Sequence, residues 1–230
     1  MKKVVNFNSD FRIGMRFILL VLFLSNGIFR ATSRIPIQPY YHDLTILNEA
    51  ILIKMYFETI RNEVKSIYRD FKTINNDLFF MGLGKSKTDW TRLYLKWFKK
   101  IDPIGAKLCP QTTNIIQSMP NIQTAMISVL KPGAKIVPHK GPYSGCIRLH
   151  MGLITPNNDD CFINLDGKSY SWRDGEVILL DDSYLHYVEN NTNKYRVILF
   201  CDIVRPMNFI GDMVNNFLIN NLSGYTGREN

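Results

Sequence analysis

The 230-residue chain carries 28 Lys and Arg against 20 Asp and Glu, a formal net charge of +8, with 46% hydrophobic and 12% aromatic residues. That apolar content supplies a packed core and excludes a disordered or low-complexity protein. The length is that of one domain with at most an appended segment.

Where the charge sits matters more than its total, which alone would point to nucleic acid or an anionic membrane. Residues 1–34 hold Lys2, Lys3, Arg12, Arg16, Arg30 and Arg34 against the single acid Asp10, a local +5, so residues 35–230 carry only +3. No basic stretch of the body matches a recognition motif, and no nucleic-acid partner is expected. The cluster Arg92, Lys96, Lys99 and Lys100 reads as a solvated face.

The uncharged apolar run from Phe17 to Leu24 lies between these basic groups. It reads as a signal anchor, with more positive charge before it than after it, which favours a cytosolic N-terminus. Residues 1–34 are thus expected to be a cytosolic tail and single-pass membrane segment, with the body in the endoplasmic reticulum lumen or another extracytoplasmic space. Ser25, Asn26 and Gly27 offer a signal-cleavage site as the alternative, giving a secreted protein. The sequons at Asn190 and Asn221 would then make it a glycoprotein. Cys109, Cys146, Cys161 and Cys201 allow three disulfide pairings, or four buried thiols.

Ile35 to Pro39 breaks any continuing helix. Asp43 can cap a long amphipathic helix with Leu44, Leu47, Ile51, Met55, Ile60, Val64, Ile67 and Phe71 on one face. Trp90 to Trp97 alternates like a strand, and Pro110 suits the first turn of a helix reaching about Met119. From about residue 124 to 205, roughly eight short strands are punctuated by turn residues, among them the hairpin signal Asp166-Gly167. That cadence predicts a mainly β, jelly-roll core with the N-terminal helices packed outside it. The boundaries read as 35–207 for the domain and 208–230 for a C-terminal tail.

Three of the four histidines, His139, His150 and His186, fall in the β region. Strict alternation places Arg148, His150 and Gly152 on one face of their strand and Ile147, Leu149, Met151 and Leu153 on the other. The polar face is either solvent-exposed or the lining of an anion site. Arg196 sits in an otherwise apolar strand, where a buried guanidinium needs an anionic partner. If its strand pairs with that of His186 as a simple hairpin, the two side chains share a face only across an odd-length loop. A metal on a histidine beside this arginine would suit a chelating ligand with a distal carboxylate.

The segments Pro138-His139-Lys140-Gly141-Pro142, Arg148 to Gly152, Trp172 to Gly175, Asp181-Asp182-Ser183, His186 and Tyr195-Arg196 together resemble the catalytic domain of aspartyl/asparaginyl β-hydroxylases. The resemblance is continuous from about Trp90 to Pro206 and weaker back to about Ile35. It implies a double-stranded β-helix (a cupin-like jelly roll) and a dioxygenase using Fe(II), 2-oxoglutarate and O2. By the same resemblance His139 and His186 bind iron. Gly141 stands where related enzymes have a carboxylate ligand, and water completes the coordination; Asp181 or Asp182 reaching the metal is the alternative. Arg196 and Ser128 would hold the distal carboxylate of 2-oxoglutarate, Arg148 and His150 the proximal end and neighbouring substrate groups, and Trp90 would lie near the cosubstrate.

The activity so implied is β-hydroxylation of Asp or Asn in a protein substrate, such as an EGF-like domain. The chain shows no helical-repeat region like that of the animal enzymes, and bacterial relatives act on lipid acyl chains. A lipid or small-molecule hydroxylase of the same fold, or a catalytically silent binding module, are therefore the alternatives.

Overall fold

The computed structural model describes residues 7–68 and 89–222, with side chains described only between Leu20 and Asn221. In chain order it has α1 (Phe7–Thr32), β1 (Tyr40–Tyr41), a 3-10 turn (Leu44–Ile46), α2 (Asn48–Met55) and α3 (Phe57–Lys65). There follow β2 (Trp90–Trp97), β3 (Lys100–Ile101), α4 (Pro103–Leu108), α5 (Pro110–Gln117), β4 (Ile122–Leu130), β5 (Lys135–His139) and β6 (Cys146–Ile154). The chain continues through β7 (Cys161–Leu165), β8 (Lys168–Ser171), β9 (Val177–Leu180), β10 (His186–Asn190), β11 (Arg196–Val204) and α6 (Phe209–Leu222).

The strands form two antiparallel sheets, one ordered β1-β9-β6-β11-β4-β2-β3 and the other β5-β10-β7-β8. Both faces of the larger sheet are covered, which is why its central strands are buried along their length. Alternation along each strand sorts the side chains. Ile127, Val129, Leu149, Met151, Leu199 and Cys201 join Ala50, Ile53, Ile60, Val64 and Ile116 of the helices in one core. Met126, Leu130, Leu180, Ile198 and Phe200 meet Ile136, Ile163, Leu165 and Val188 of the smaller sheet in a second core. This is the jelly-roll architecture with helices outside that the turn cadence predicts, and β4 to β11 are its eight strands. Asp166 and Gly167, at φ of 52° and 81°, make the β7–β8 turn that favours residues tolerant of left-handed backbone.

Several expectations are corrected. The helix after Asp43 is not continuous: the Asp43 side chain caps only the 3-10 turn, accepting from the Thr45 N–H at 2.9 Å, and Tyr56 separates α2 from α3. The break lets α2 bury Ala50 and Ile53 while α3 buries Ile60 and Val64, leaving Ile51 and Met55 exposed. Phe71 lies outside the described residues. Arg92 and Lys96 are not on a solvated face, because β2 is an interior strand; Arg92 lies over the Trp90 ring and Lys96 Nζ donates to the Met119 carbonyl. β10 and β11 do not form a hairpin, since their connection crosses from one sheet to the other. His186 and Arg196 therefore face each other across the sandwich, with no parity requirement on the loop.

The single-pass membrane expectation is also overturned. No helix among the described residues is long and apolar enough to cross a membrane. Between Arg16 and Arg30 the uncharged run of α1 is only thirteen residues, about 20 Å of helix against a hydrocarbon core of about 30 Å. Cleavage at Ser25 to Gly27 would cut through a packed contact, for Asn26 Nδ2 donates to the Pro142 carbonyl and Asn26 Oδ1 accepts from the Ser144 N–H. The Asn190 sequon is unsuited to a glycan: the side chain is fully buried and donates to the carbonyls of Lys131 and Lys194. Ser223 of the second sequon and the flanking Lys2 and Lys3 lie outside the described residues. All four cysteines are buried free thiols.

A buried ion pair ties these layers together at the edge nearest the histidines. Arg205 Nη2 meets Asp181 Oδ2 at 2.5 Å, both side chains fully buried, and Arg205 also donates to the Ser144 carbonyl and the Tyr41 hydroxyl. Removing one partner leaves the other charged and dry, which costs about 3–5 kcal/mol. Asp181→Ala is expected to lose that much in urea denaturation, and a loss below about 1 kcal/mol would show that the pair does not clamp the fold.

Candidate active site

β5 and β10 are neighbours in the smaller sheet, and their register places His186 opposite His139. The ring centroids are 4.1 Å apart. Each Nδ1 lies against the carbonyl two residues earlier, His139 with Val137 at 2.8 Å and His186 with Tyr184 at 2.9 Å. A carbonyl only accepts, so Nδ1 carries the proton and Nε2 keeps its lone pair. Burial pushes both imidazoles down, His186 to about 3 with help from neighbouring His139, so both are neutral near pH 7. Two neutral imidazoles with fixed tautomers could serve as a pair of metal ligands.

Gly141 has no room for the carboxylate that its position would carry in related enzymes. A Cβ there would lie 2.1 Å from Asp182 Oδ2. Asp182 occupies that space and pairs with Arg148 Nη1 at 2.6 Å. Asp181 is turned away onto Arg205. Among the described residues no third His, Cys, Asp or Glu joins the two histidines in a metal-holding group.

Facing the histidines, the inward side of the larger sheet carries Arg148 and His150 on β6, Ser128 on β4, and Arg196, Phe200 and Asp202 on β11. Arg196 is 2% exposed and lies over the Trp172 ring at 4.8 Å. Its Nη2 donates to Ser128 Oγ at 3.3 Å, and that hydroxyl also accepts from Trp90 Nε1 at 2.8 Å. Its Nε has no hydrogen-bond partner, and no carboxylate among the described residues pairs with it. Burial lowers its pKa to about 10, which still leaves it charged at neutral pH. Both ring nitrogens of His150 are likewise buried without partners, and burial holds that imidazole well below its ordinary pKa. An unpaired cation beside unsatisfied imidazole nitrogens is costly in an empty core. It is the arrangement of a site for an anion.

Arg148 differs. Its Nε and Nη2 bond Asp202 at 2.9 and 3.3 Å while Nη1 holds Asp182, and its guanidinium lies 4.2 Å above the Phe200 ring. Burial opposes its charge, but the two carboxylates outweigh that and raise its pKa. Trp90, Ser128, His139, Arg148, His150, His186 and Arg196, all marked by the sequence, line one narrow cavity of about 30 Å³. His139 and Arg148 also line an outer cavity of about 170 Å³, walled by Trp97, Phe98, Pro142, Tyr143 and Cys146. Sequence reasoning missed Asp182 and Asp202 as partners of Arg148, and Trp172 beneath Arg196. Asp202 had a signal, since it shares the parity of Arg196 along β11.

Comparison with known proteins settles the family. The family model for aspartyl/asparaginyl β-hydroxylase matches residues 54–206. The chain belongs to that family. Within it, the chain is 37% identical over 157 residues to an ornithine lipid ester-linked acyl 2-hydroxylase of Rhizobium tropici, covering 68% of this chain and 52% of that protein. It is 29% identical over 181 residues to aspartate β-hydroxylase domain-containing protein 2 of Xenopus tropicalis, covering 75% of this chain and 48% of the relative. It is 27% identical over 160 residues to human aspartyl/asparaginyl β-hydroxylase, covering 62% of this chain and 21% of the enzyme. The chain thus spans about half the length, or less, of these curated relatives. Among solved structures, a Pseudomonas putida prolyl-4-hydroxylase overlaps 82% of this chain and 99% of its own, at a TM-score of 0.42 and 14% identity. The chain is thus a member of a hydroxylase family, built on a two-sheet jelly roll.

The buried histidines set a pH dependence. A histidine whose folded pKa is depressed binds fewer protons folded than unfolded, so stability is present above the unfolded value, about 6.5, and is lost as pH falls below it. His139, His150 and His186 all act in this direction. Unfolding free energy is expected to drop between pH 7.5 and 5.5, and His150→Phe to make that drop shallower. An unchanged slope in the variant would show that His150 is not held neutral.

Proposed function

We propose that the chain is an Fe(II)- and 2-oxoglutarate-dependent hydroxylase whose substrate is the acyl chain of a lipid. The residues present fit the metal and cosubstrate. His139 and His186 would hold iron through their free Nε2 atoms, and Arg196 with Ser128 would take the distal carboxylate of 2-oxoglutarate, answering the orphaned Nε. The unpartnered His150 would meet the remaining polar end. Bound iron, with 2-oxoglutarate and O2, supplies the oxidising power for C–H hydroxylation, leaving succinate and carbon dioxide.

The chain itself supplies position and dryness. The β5–β10 register and the two backbone carbonyls fix the histidine rings. Trp172 and the Ser128–Trp90 pair hold the Arg196 fork, which can bind a carboxylate with two charge-assisted bonds. Ile136, Val188 and Ile198 give the inner cavity apolar walls.

The observation that carries the lipid reading is the outer cavity. Its walls are mainly apolar, and its one buried guanidinium, Arg148, is already committed to Asp182 and Asp202. An aspartate substrate would find no uncommitted buried cation there, whereas an acyl chain needs none. The similarity to the lipid acyl hydroxylase supports the same choice. The second reading, β-hydroxylation of Asp or Asn in a protein, rests on the family and on Lys140 at the rim of that cavity.

The protein would be incubated with Fe(II), ascorbate and 2-oxoglutarate, together with either an acyl-ester lipid or an EGF-like peptide. Succinate release and a mass gain of one oxygen on the lipid are expected, both lost in His139→Ala and His186→Ala. Oxygen on the peptide alone would favour the second reading, and no succinate from any substrate would contradict the enzyme.

A further inference from the structure

α1 and α6 lie side by side in opposite directions. The Asn208 N–H donates to the Thr32 carbonyl, Ser33 bridges Met207, and Gly211 sits so close to Thr32 that a Cβ would strike its hydroxyl. Leu22 and Phe29 of α1 are buried with Met207 and Leu218. The opposite stripes are bare. Leu20, Phe23, Leu24 and Ile28 recur along α1, and Phe209, Ile210, Met213 and Phe217 along α6, at three- and four-residue spacing and at exposures from 40% (Ile28) to 77% (Phe209). Both stripes point away from the body, since the residues opposite them are the buried ones. Eight large apolar side chains on one helical pair are more than an isolated surface hydrophobe and mark an interaction site.

This layer is joined to the outer cavity. Phe29 packs edge-on against Tyr143 at 5.5 Å, Tyr143 bonds Asn215 of α6, and Asn26 of α1 holds Pro142 and Ser144. Pro142 and Tyr143 are cavity walls. Charge identifies what covers the face. Residues 1–16, ahead of the α1 stripe in the sequence, carry a net +3, while Arg30 is turned onto Ser183 and the Tyr184 ring; α6 adds only the acid Asp212, and Lys99 reaches Asn220 at the far end of α6.

We infer that α1 and α6 form a docking face for an anionic lipid surface, on which the protein lies without crossing it, with the outer cavity opening beside the bilayer. Apolar stripes enter the headgroup boundary while the basic segment meets anionic headgroups, the two contributions that hold interfacial helices. The inference stands apart from the hydroxylase reading, because binding needs neither iron nor cosubstrate.

Sedimentation of the full chain with vesicles tests it, using phosphatidylcholine alone or mixed with phosphatidylglycerol. The protein is expected to sediment with the anionic vesicles, less so at high salt. The double variant Phe23→Asn/Phe217→Asn is expected to bind roughly tenfold more weakly at an unchanged melting temperature. Should that variant be less stable, Phe209→Asn alone, at the most exposed position, is expected to weaken binding in the same direction. Failure of the wild-type chain to sediment, or equal binding by the folded variants, would overturn the inference. So would a wild-type dimer that the double variant converts to monomer without loss of vesicle binding, since the face would then be covered by a second copy.

Discussion

The site is organised around a charge that the protein alone does not balance. Arg196 sits on a central strand between two sheets, held by a hydroxyl and an aromatic face but by no carboxylate among the described residues. Two other guanidiniums of the interior are held by carboxylates: Arg205 by Asp181, and Arg148 by Asp182 and Asp202. The contrast separates structural arginines from one reserved for a ligand. A buried cation of this kind persists only where the surrounding core is stable enough to carry its cost, and two apolar layers, one on each face of the larger sheet, provide that.

The same core fixes the histidine side of the site. Because β10 and β11 belong to opposite sheets, the chain brings His186 and Arg196 face to face across the sandwich after a short loop, with His139 supplied by the neighbouring strand. Asp182 then serves two ends. Its carboxylate fills the space over Gly141, and it anchors Arg148 at the junction of the inner and outer cavities. One guanidinium is neutralised at the outer cavity, and the other stays without a carboxylate partner at the inner one. Under the proposed function, that division would let an apolar substrate and an anionic cosubstrate occupy adjoining cavities.

Much of this was legible in the sequence because strand alternation is local. The parity of Arg148 and His150 follows from positions two apart along one strand, and the Asp166-Gly167 turn and the placement of Arg196 among apolar residues follow from immediate neighbours in the chain. What the sequence could not show is non-local. The sheet switch between β10 and β11, the burial of Arg92 and Lys96 on an interior strand, and the pairing of Arg148 with two aspartates depend on which strands become neighbours. The apolar run of α1 misled for a related reason. Local hydropathy does not distinguish a helix that crosses a bilayer from one whose inner stripe packs on α6, and only the contacts of Leu22 and Phe29 do.

The reserved charge of Arg196 is the central claim, and Arg196→Met tests it through two opposite effects. Calorimetric titration of 2-oxoglutarate into the protein loaded with Mn(II) should lose roughly a hundredfold in affinity, the worth of about 3 kcal/mol of charge-assisted bonding. The ligand-free variant should at the same time unfold at higher denaturant, gaining on the order of 1 kcal/mol from removal of an unpaired buried cation. A variant that binds 2-oxoglutarate unchanged, or one that is destabilised as though an internal ion pair had been broken, would contradict the account.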